Sequence, residues 1–202
     1  MISGDTLKRW FAIIGHRTPS TGDLNLNDLP GSGGRLDVLA RAVNAALFVS
    51  HGIREESSVI LHLLGGGGPN RRVLFDGSEL RGLRPDERSI AGQVKSVIRI
   101  PVPPIGRFQQ VSSGISHSGG GLEQTLKEWR SSGIMPFILD PNGDPATSIP
   151  ESDDIGFFLS DDSAFTEEDS AILEGVPSIS LGKGWLQGHT CIGILHYLMD
   201  RS

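Results

Sequence analysis

The chain has a single cysteine, Cys191, among 202 residues. No intrachain disulfide is open to it, and the composition fits a reducing, cytoplasmic compartment. No apolar run approaches the roughly 18 residues that a spanning helix requires, so no membrane partner is expected. Lysine is scarce, 4 against 14 arginines. Three familiar signatures are also missing. No G-x-G-x-x-G follows a strand, no G-x-S-x-G marks a hydrolase nucleophile, and no His/Cys/Asp spacing suggests a metal site.

Glycine is plentiful, 27 residues, which implies many tight turns. Length and hydrophobic content suit one domain with a real core. The net charge of −6 argues against nonspecific nucleic-acid binding. Its distribution is uneven. Residues 1–110 carry 14 basic and 10 acidic side chains, and residues 111–202 carry 4 and 14. A polyanion would therefore meet the first part, through arginines suited to forked phosphate contacts. A merely uneven solvated surface explains the same numbers.

The N-terminal "MISGDTLKRWFAIIGH" has a short apolar core but no convincing cleavage site and reads as a first strand, buried along "RWFAIIG", rather than a signal peptide. A loop follows. The segment "GGRLDVLARAVNAALFVSHG" is the clearest helix, with Leu36, Leu39, Ala40, Val43 and Leu47 on one face and Gly52 as its stop. "SSVILHLLGGGGPNRRVLFDG" reads as a hairpin. Its four glycines are a turn and not a phosphate loop, because Pro69, Asn70 and a strand follow where a helix would be needed. "LRPDERSIAGQVKSVIRI" is a second helix with Pro85 in its first turn. Residues 101–121 look irregular, and "LEQTLKEWR" is a short helix.

From Met135 three strands alternate with loops: "MPFILD", "DIGFFLS" and "VPSISLG". Thr166 and Asp169 have capping-box spacing between the second and third. A final helix starts near His189 with Ile192, Leu195, Leu198 and Met199 as its buried stripe. This order implies an α/β sandwich on a largely parallel sheet. Ligands collect beyond the carboxyl ends of such strands, so the loops beginning at Asp140, Ser160 and Gly182 are the expected pocket. Asp161 and Asp162 could accept bonds from a ligand or simply cap a turn. Cys191 fits a small buried hydrophobe or pocket wall better than a nucleophile, which would need a base or cation to activate it, and His189, two residues away, could face elsewhere.

Three stretches, "LPGSGGRLDVLARAVNAALFVSHGIRE", "GSELRGLRPDERS" and "SLGKGWLQGHTCIGILHYLMD", resemble the archaeal tRNA pseudouridine-54 N1-methyltransferases of the SPOUT superfamily. The likeness covers most of the chain and is weakest over 100–134. It implies one SPOUT domain over 1–202, a knotted Rossmann-like sandwich with a C-terminal deep trefoil knot. The substrate-facing part would span about 1–134 and the cofactor part about 135–202. It implies S-adenosylmethionine as cofactor, held by Leu139, Leu159, Ser160, Asp161, Ser180, Leu181, Gly182, Cys191 and Ile192. It implies a homodimer with a shared active site, and N1-methylation of pseudouridine in the tRNA T-loop. A carboxylate, or a water it orients, would remove the N1 proton, with Asp86, Glu87 and Glu79 as candidates beside Arg88. Asp86 could equally be a helix cap. Arg35, Asp37, Arg41 and Arg54 are the candidate substrate-binding set. Two other functions share these features: methylation of pseudouridine in another RNA such as ribosomal RNA, and a non-catalytic RNA-binding or assembly protein. The chain departs from the family at 112–121, where His117 stands without the usual basic residues, and at Ala40 and Ala42, where the first helix lacks cysteines.

Overall fold

The computed structural model describes residues 7–146, 149–150 and 154–201. The N-terminal residues 1–6 of the stretch weighed above as a signal peptide lie outside them. Among the described residues ten strands and five helices are formed: β1 Arg9–Pro19, α1 Leu36–Leu47, β2 Phe48–Val49, β3 Gly52–Ile53, β4 Ser57–Gly65, β5 Arg71–Asp76, α2 Glu87–Ile98, β6 Gln109–Ser112, β7 Ile115–Gly119, α3 Leu122–Ser131, β8 Met135–Pro145, β9 Ile155–Ser160, α4 Glu167–Ile172, β10 Ser178–Ser180 and α5 Gly188–Met199. Eight strands make one sheet in the order β10-β8-β9-β1-β4-β5-β7-β6, while β2 and β3 form a separate ribbon.

The sheet is parallel from β10 through β4 and antiparallel from β4 through β6. The first strand is central, with β4 on one flank and β9 on the other. Its apolar run has the composition of a strand buried on both faces. Alternation sorts its side chains by layer. Phe11 and Ile13 join Leu39, Ile90 and Ile192 under α1, α2 and α5. Ala12 and Ile14 join Leu126, Trp129 and Leu173 under α3 and α4. Full burial of each large apolar side chain contributes about 1.5–3 kcal/mol, so the two layers together dominate the favourable side of folding.

Four local expectations need correction. Gly52 does not stop α1. The helix ends at Phe48, whose φ/ψ of −99° and 136° is extended, and the chain turns straight into the β2–β3 ribbon. Pro85 lies before α2 rather than in its first turn: Asp86 is the N-cap and its carboxylate accepts from Ser89 N at 2.8 Å. Residues 101–121 are not wholly irregular, because β6 and β7 pair as an antiparallel hairpin. Their apolar content is too low to show a strand pattern, and β6 is exposed along its length on the sheet edge. Finally, the buried stripe of α5 is Ile192, Leu195 and His196, with Leu198 and Met199 only half-buried. The hairpin reading of β4 and β5 and the capping box at Thr166 are both observed.

Candidate active site

The carboxyl ends of β8, β9 and β10 face the amino end of α5, and the loops between them enclose a cavity of about 680 Å³. Leu139 and Asp140 come from β8, residues 159–165 from β9 and its loop, and Leu181 to His189 from the glycine-rich tail. A second wall comes from the first half of the chain: Arg35, Val38 and Arg41 of α1. The three expected loops thus meet at one cavity, together with a helix that sequence order does not suggest.

The tail loop is open by construction. Gly182 has a φ of +125°, a backbone region that side chains avoid, and a Cβ placed there or on Gly184 would point into empty space. The Gly182 N–H donates to Ser180 Oγ at 3.1 Å, and the space a side chain would fill at Gly182 and Gly184 stays open. Ser160 Oγ is buried and has no hydrogen-bond partner among the described residues. A buried, unpaired hydroxyl costs roughly 1–3 kcal/mol unless something binds it. With the apolar Leu139, Leu159 and Leu181 beside it, this cavity suits a flat aromatic group with a polar edge.

The G-R-L-D motif builds the opposite rim. Gly34 (φ +59°) passes so close to β1 that a Cβ would strike the Arg17 carbonyl. Arg35 follows in the same left-handed region, φ 66° and ψ 30°, as the α1 N-cap residue. It is the one non-glycine residue with positive φ among the described residues. Such strain costs on the order of 1–3 kcal/mol and marks a position with a task. Its guanidinium is held by Asp37 through Nε (3.0 Å) and Nη2 (3.2 Å), and by Asp162 through Nη1 (2.5 Å). Asp37 also accepts from Arg41 Nη2 at 2.6 Å. Arg17 clasps Asp162 from the other side at 2.6 Å. The result is a chain of alternating charges, Arg17, Asp162, Arg35, Asp37, Arg41, along one rim. Asp37 stays ionised because these arginines outweigh its burial.

Of the cofactor candidates, Leu139, Leu159, Ser160, Asp161, Leu181, Gly182 and Cys191 line the cavity. Ser180 stands behind the wall, its hydroxyl donating to the Pro141 carbonyl at 2.9 Å, and Ile192 is fully buried beneath it. Burial pushes the Cys191 thiol up in pKa, and its nearest polar partner is the Leu186 carbonyl at 3.9 Å. That environment disfavours a thiolate.

The other candidates lie elsewhere. Arg54 pairs with Asp200 and Glu56 at the far end of α5, about 18 Å from its first residue by helix rise. Glu79 follows β5, whose last residue pairs with Ser58 at the start of β4, so it sits at the sheet edge opposite the cavity. Asp86 to Arg88 flank the outer side of α1. Glu87 lies 3.8 Å from Arg41, and Arg88 holds the Leu26 carbonyl and Asn27. His117 is buried against Arg71 and does not face solvent. Sequence reasoning missed His16 and Arg17, treating them as loop. Their signal was charge placed immediately after the central apolar strand.

A family described as "Putative SAM-dependent RNA methyltransferase" matches residues 8–202. The chain belongs to this family. Among curated relatives, the tRNA (pseudouridine(54)-N(1))-methyltransferase of Methanocorpusculum labreanum is 38% identical over 195 residues, covering 92% of this chain and 94% of that protein. The enzyme of the same name from Haloferax volcanii is 38% identical over 197 residues, covering 96% and 97%. Among solved structures, Archaeoglobus fulgidus Nep1 bound to S-adenosylhomocysteine superposes with a TM-score of 0.67 at 11% identity, covering 96% of this chain and 98% of that one. At that identity the likeness concerns the fold alone, the mixed α/β sheet. No helix of the described residues is long and apolar enough to cross a membrane, and among them no group of three or more His, Cys, Asp or Glu is placed to hold a metal ion.

Proposed function

We propose that this family member transfers the methyl group of S-adenosylmethionine to N1 of pseudouridine 54 in the tRNA T-loop, as its relatives' names describe. The observation that carries the reading is the cavity itself: three strand-end loops, an open glycine tail and an unpaired Ser160 hydroxyl in one wall. Bound there, the cofactor supplies an electrophilic methyl group on a sulfonium. Leu139, Leu159 and Leu181 would hold its adenine, Ser160 and the main chain of Asp161 its polar edge, and Gly182 its backbone contacts. Ser180 and Ile192 would support these from behind, and Cys191 would serve as wall.

Pseudouridine carries an N1–H that uridine lacks. Methylation requires that proton to leave while the nitrogen points at the methyl group. Fixed orientation accounts for much of the acceleration in such transfers. Arg35 and Arg41 are placed on the rim to grip a phosphate or uracil carbonyl, with Asp37 fixing both side chains. Arg54 would act at a distance from this rim, on the body of the tRNA. The proton acceptor is assigned to Glu87, Asp86 or Glu79, and Arg88 to a grip on phosphate or a uracil carbonyl. These residues stand outside the cavity of their own protomer, which fits a homodimer whose active site is shared. Trp185, Leu186 and Tyr197, on the tail and on α5, are 78%, 42% and 60% exposed and suit a second copy of the chain. A deep trefoil knot in the part beyond about residue 135 and a cytoplasmic setting complete the reading. The out-of-sequence order β10-β8-β9 and the return of α5 onto α1 support the first.

The test is methyl transfer from labelled S-adenosylmethionine to two T-loop stem-loops that differ only in pseudouridine or uridine at the target. Transfer to the pseudouridine form alone is expected. Cofactor binding without transfer to either would redirect the activity to another RNA. No cofactor binding would refute the enzymatic reading in favour of an RNA-binding or assembly role.

A further inference from the structure

We propose that His16 is a positioning residue: an imidazolium locked between Asp161 and Asp169 that holds the loop of residues 160–165 in the shape that grips the cofactor. This rests on the functional reading above.

His16 lies one residue past the buried core of β1. Its backbone N–H donates to Asp161 Oδ2 at 2.9 Å, and its ring Nδ1 lies 3.3 Å from Asp161 Oδ1. On the other side of the ring, Nε2 lies 2.8 Å from Asp169 Oδ2. Both carboxylates are nearly removed from water, with side-chain exposures of 0% and 6%. A neutral imidazole has one donor and one acceptor. Facing an ionised carboxylate at each nitrogen, it would set an acceptor against an acceptor. Two protons resolve the conflict. The carboxylates raise the His16 pKa to about 9, against the opposing effect of burial.

The two acids are already committed to the loop. Asp161 Oδ1 also accepts from Ser163 N at 2.9 Å, which tightens the turn. Asp169 Oδ2 also accepts from Thr166 N and Thr166 Oγ1, at 2.8 and 2.7 Å, which closes the start of α4. One cation therefore ties both ends of the segment between β9 and α4 to the end of β1. Asp162, between these ties, sits on the cavity rim and is held by Arg17 and Arg35. The segment so restrained carries Ser160, Asp161 and Phe165 into the cavity wall. His16 itself is not part of that wall. Its effect is on the shape of the wall, and hence on cofactor affinity rather than on the methyl-transfer step.

The experiment compares wild type, His16→Gln and Asp169→Asn. Glutamine removes the cation. Asparagine removes one charge while leaving an oxygen for the Thr166 cap. S-adenosylhomocysteine binding is measured by calorimetry, KM for S-adenosylmethionine and kcat by methyl transfer, and His16 protonation by ¹⁵N NMR at pH 7.5. The expected result for His16→Gln is a rise of about tenfold or more in both Kd and KM with kcat within about threefold, the pattern of lost cofactor binding alone. Asp169→Asn should move Kd and KM in the same direction by a smaller factor. Both ring nitrogens of wild-type His16 should be protonated. Unchanged affinity in folded variants, a fall in kcat at constant KM, or a neutral His16 would overturn the proposal. If His16→Gln does not fold, by circular dichroism, Asp169→Asn decides. Wild-type protein that binds no S-adenosylhomocysteine would overturn the functional reading and this proposal with it, whereas wild-type binding with unaltered variants would overturn this proposal alone.

Discussion

Arg35 offers a test in which backbone and side chain separate. Replacing it by alanine or by glycine removes the same guanidinium, with its two bonds to Asp37 and one to Asp162. Both variants leave Asp37 supported by Arg41 alone. They differ only in what the backbone at φ 66°, ψ 30° costs. A left-handed residue with a Cβ is strained by roughly 1–2 kcal/mol. Glycine escapes that strain but has more freedom to lose from the unfolded chain, about 0.4–1 kcal/mol. The difference leaves Arg35→Gly more stable than Arg35→Ala by about 0.5–1 kcal/mol. For a chain of this size that is about 1–4 °C in Tm. Thermal unfolding at matched protein concentration reads it directly. Methyl transfer should fall in both variants, so that the more stable glycine form remains as impaired as the alanine form. An alanine variant that melts at or above the glycine variant would refute the claim that Arg35 is held under strain.

Other expectations concern the core and the pH profile. Glu128→Ala strands Arg72, which is fully buried and otherwise relies on Thr125, Ser118 and the Gly119 carbonyl. Because Glu128 is itself partly exposed, a loss of about 2–4 kcal/mol in denaturant unfolding is expected. Stability should fall on both sides of pH 6.5, the ordinary histidine value. His16, raised to about 9, contributes fully below 6.5 and loses its contribution as the pH climbs to 9. His62 and His196 are buried and neutral, lowered to about 3 and about 4, so the fold must resist their protonation and loses stability as the pH falls below 6.5. Urea midpoints across this range should show the alkaline limb vanish in His16→Gln while the acid limb persists. Cys191→Ala should keep methyl transfer within about twofold, since the thiol is not activated; loss of activity without loss of cofactor binding would reassign it.

Much of the fold was legible because periodicity is a local signal. The run from Leu36 to Leu47 could hardly be anything but an amphipathic helix, and "DIGFFLS" could hardly be anything but a buried strand. The pocket position followed from strand ends alone. What stayed hidden was set by partners distant in the chain. Gly52 looks like a helix stop until the β2–β3 pairing is seen. The edge hairpin at 109–119 has too few apolar residues to announce itself: β6 is exposed along its length, and buried β7 carries Ser116, His117 and Ser118 where an apolar run would be read. His16 and Asp161 are 145 positions apart, and nothing in either neighbourhood reveals the other. Arg54 has a second role that its residue type does not reveal: it anchors the end of α5 through Asp200.

The central place of β1 has a consequence for how the molecule is made. On the ribosome this strand emerges before either of its neighbours, and β4 soon follows to cover one flank. Its other neighbour, β9, begins only about 90 residues after β4 ends, a delay of roughly 5–20 s at ordinary rates of translation. During that interval an apolar strand with an open edge must be kept from other chains, by collapse onto α1 or by a chaperone. The cavity cannot close until α5 has left the exit tunnel.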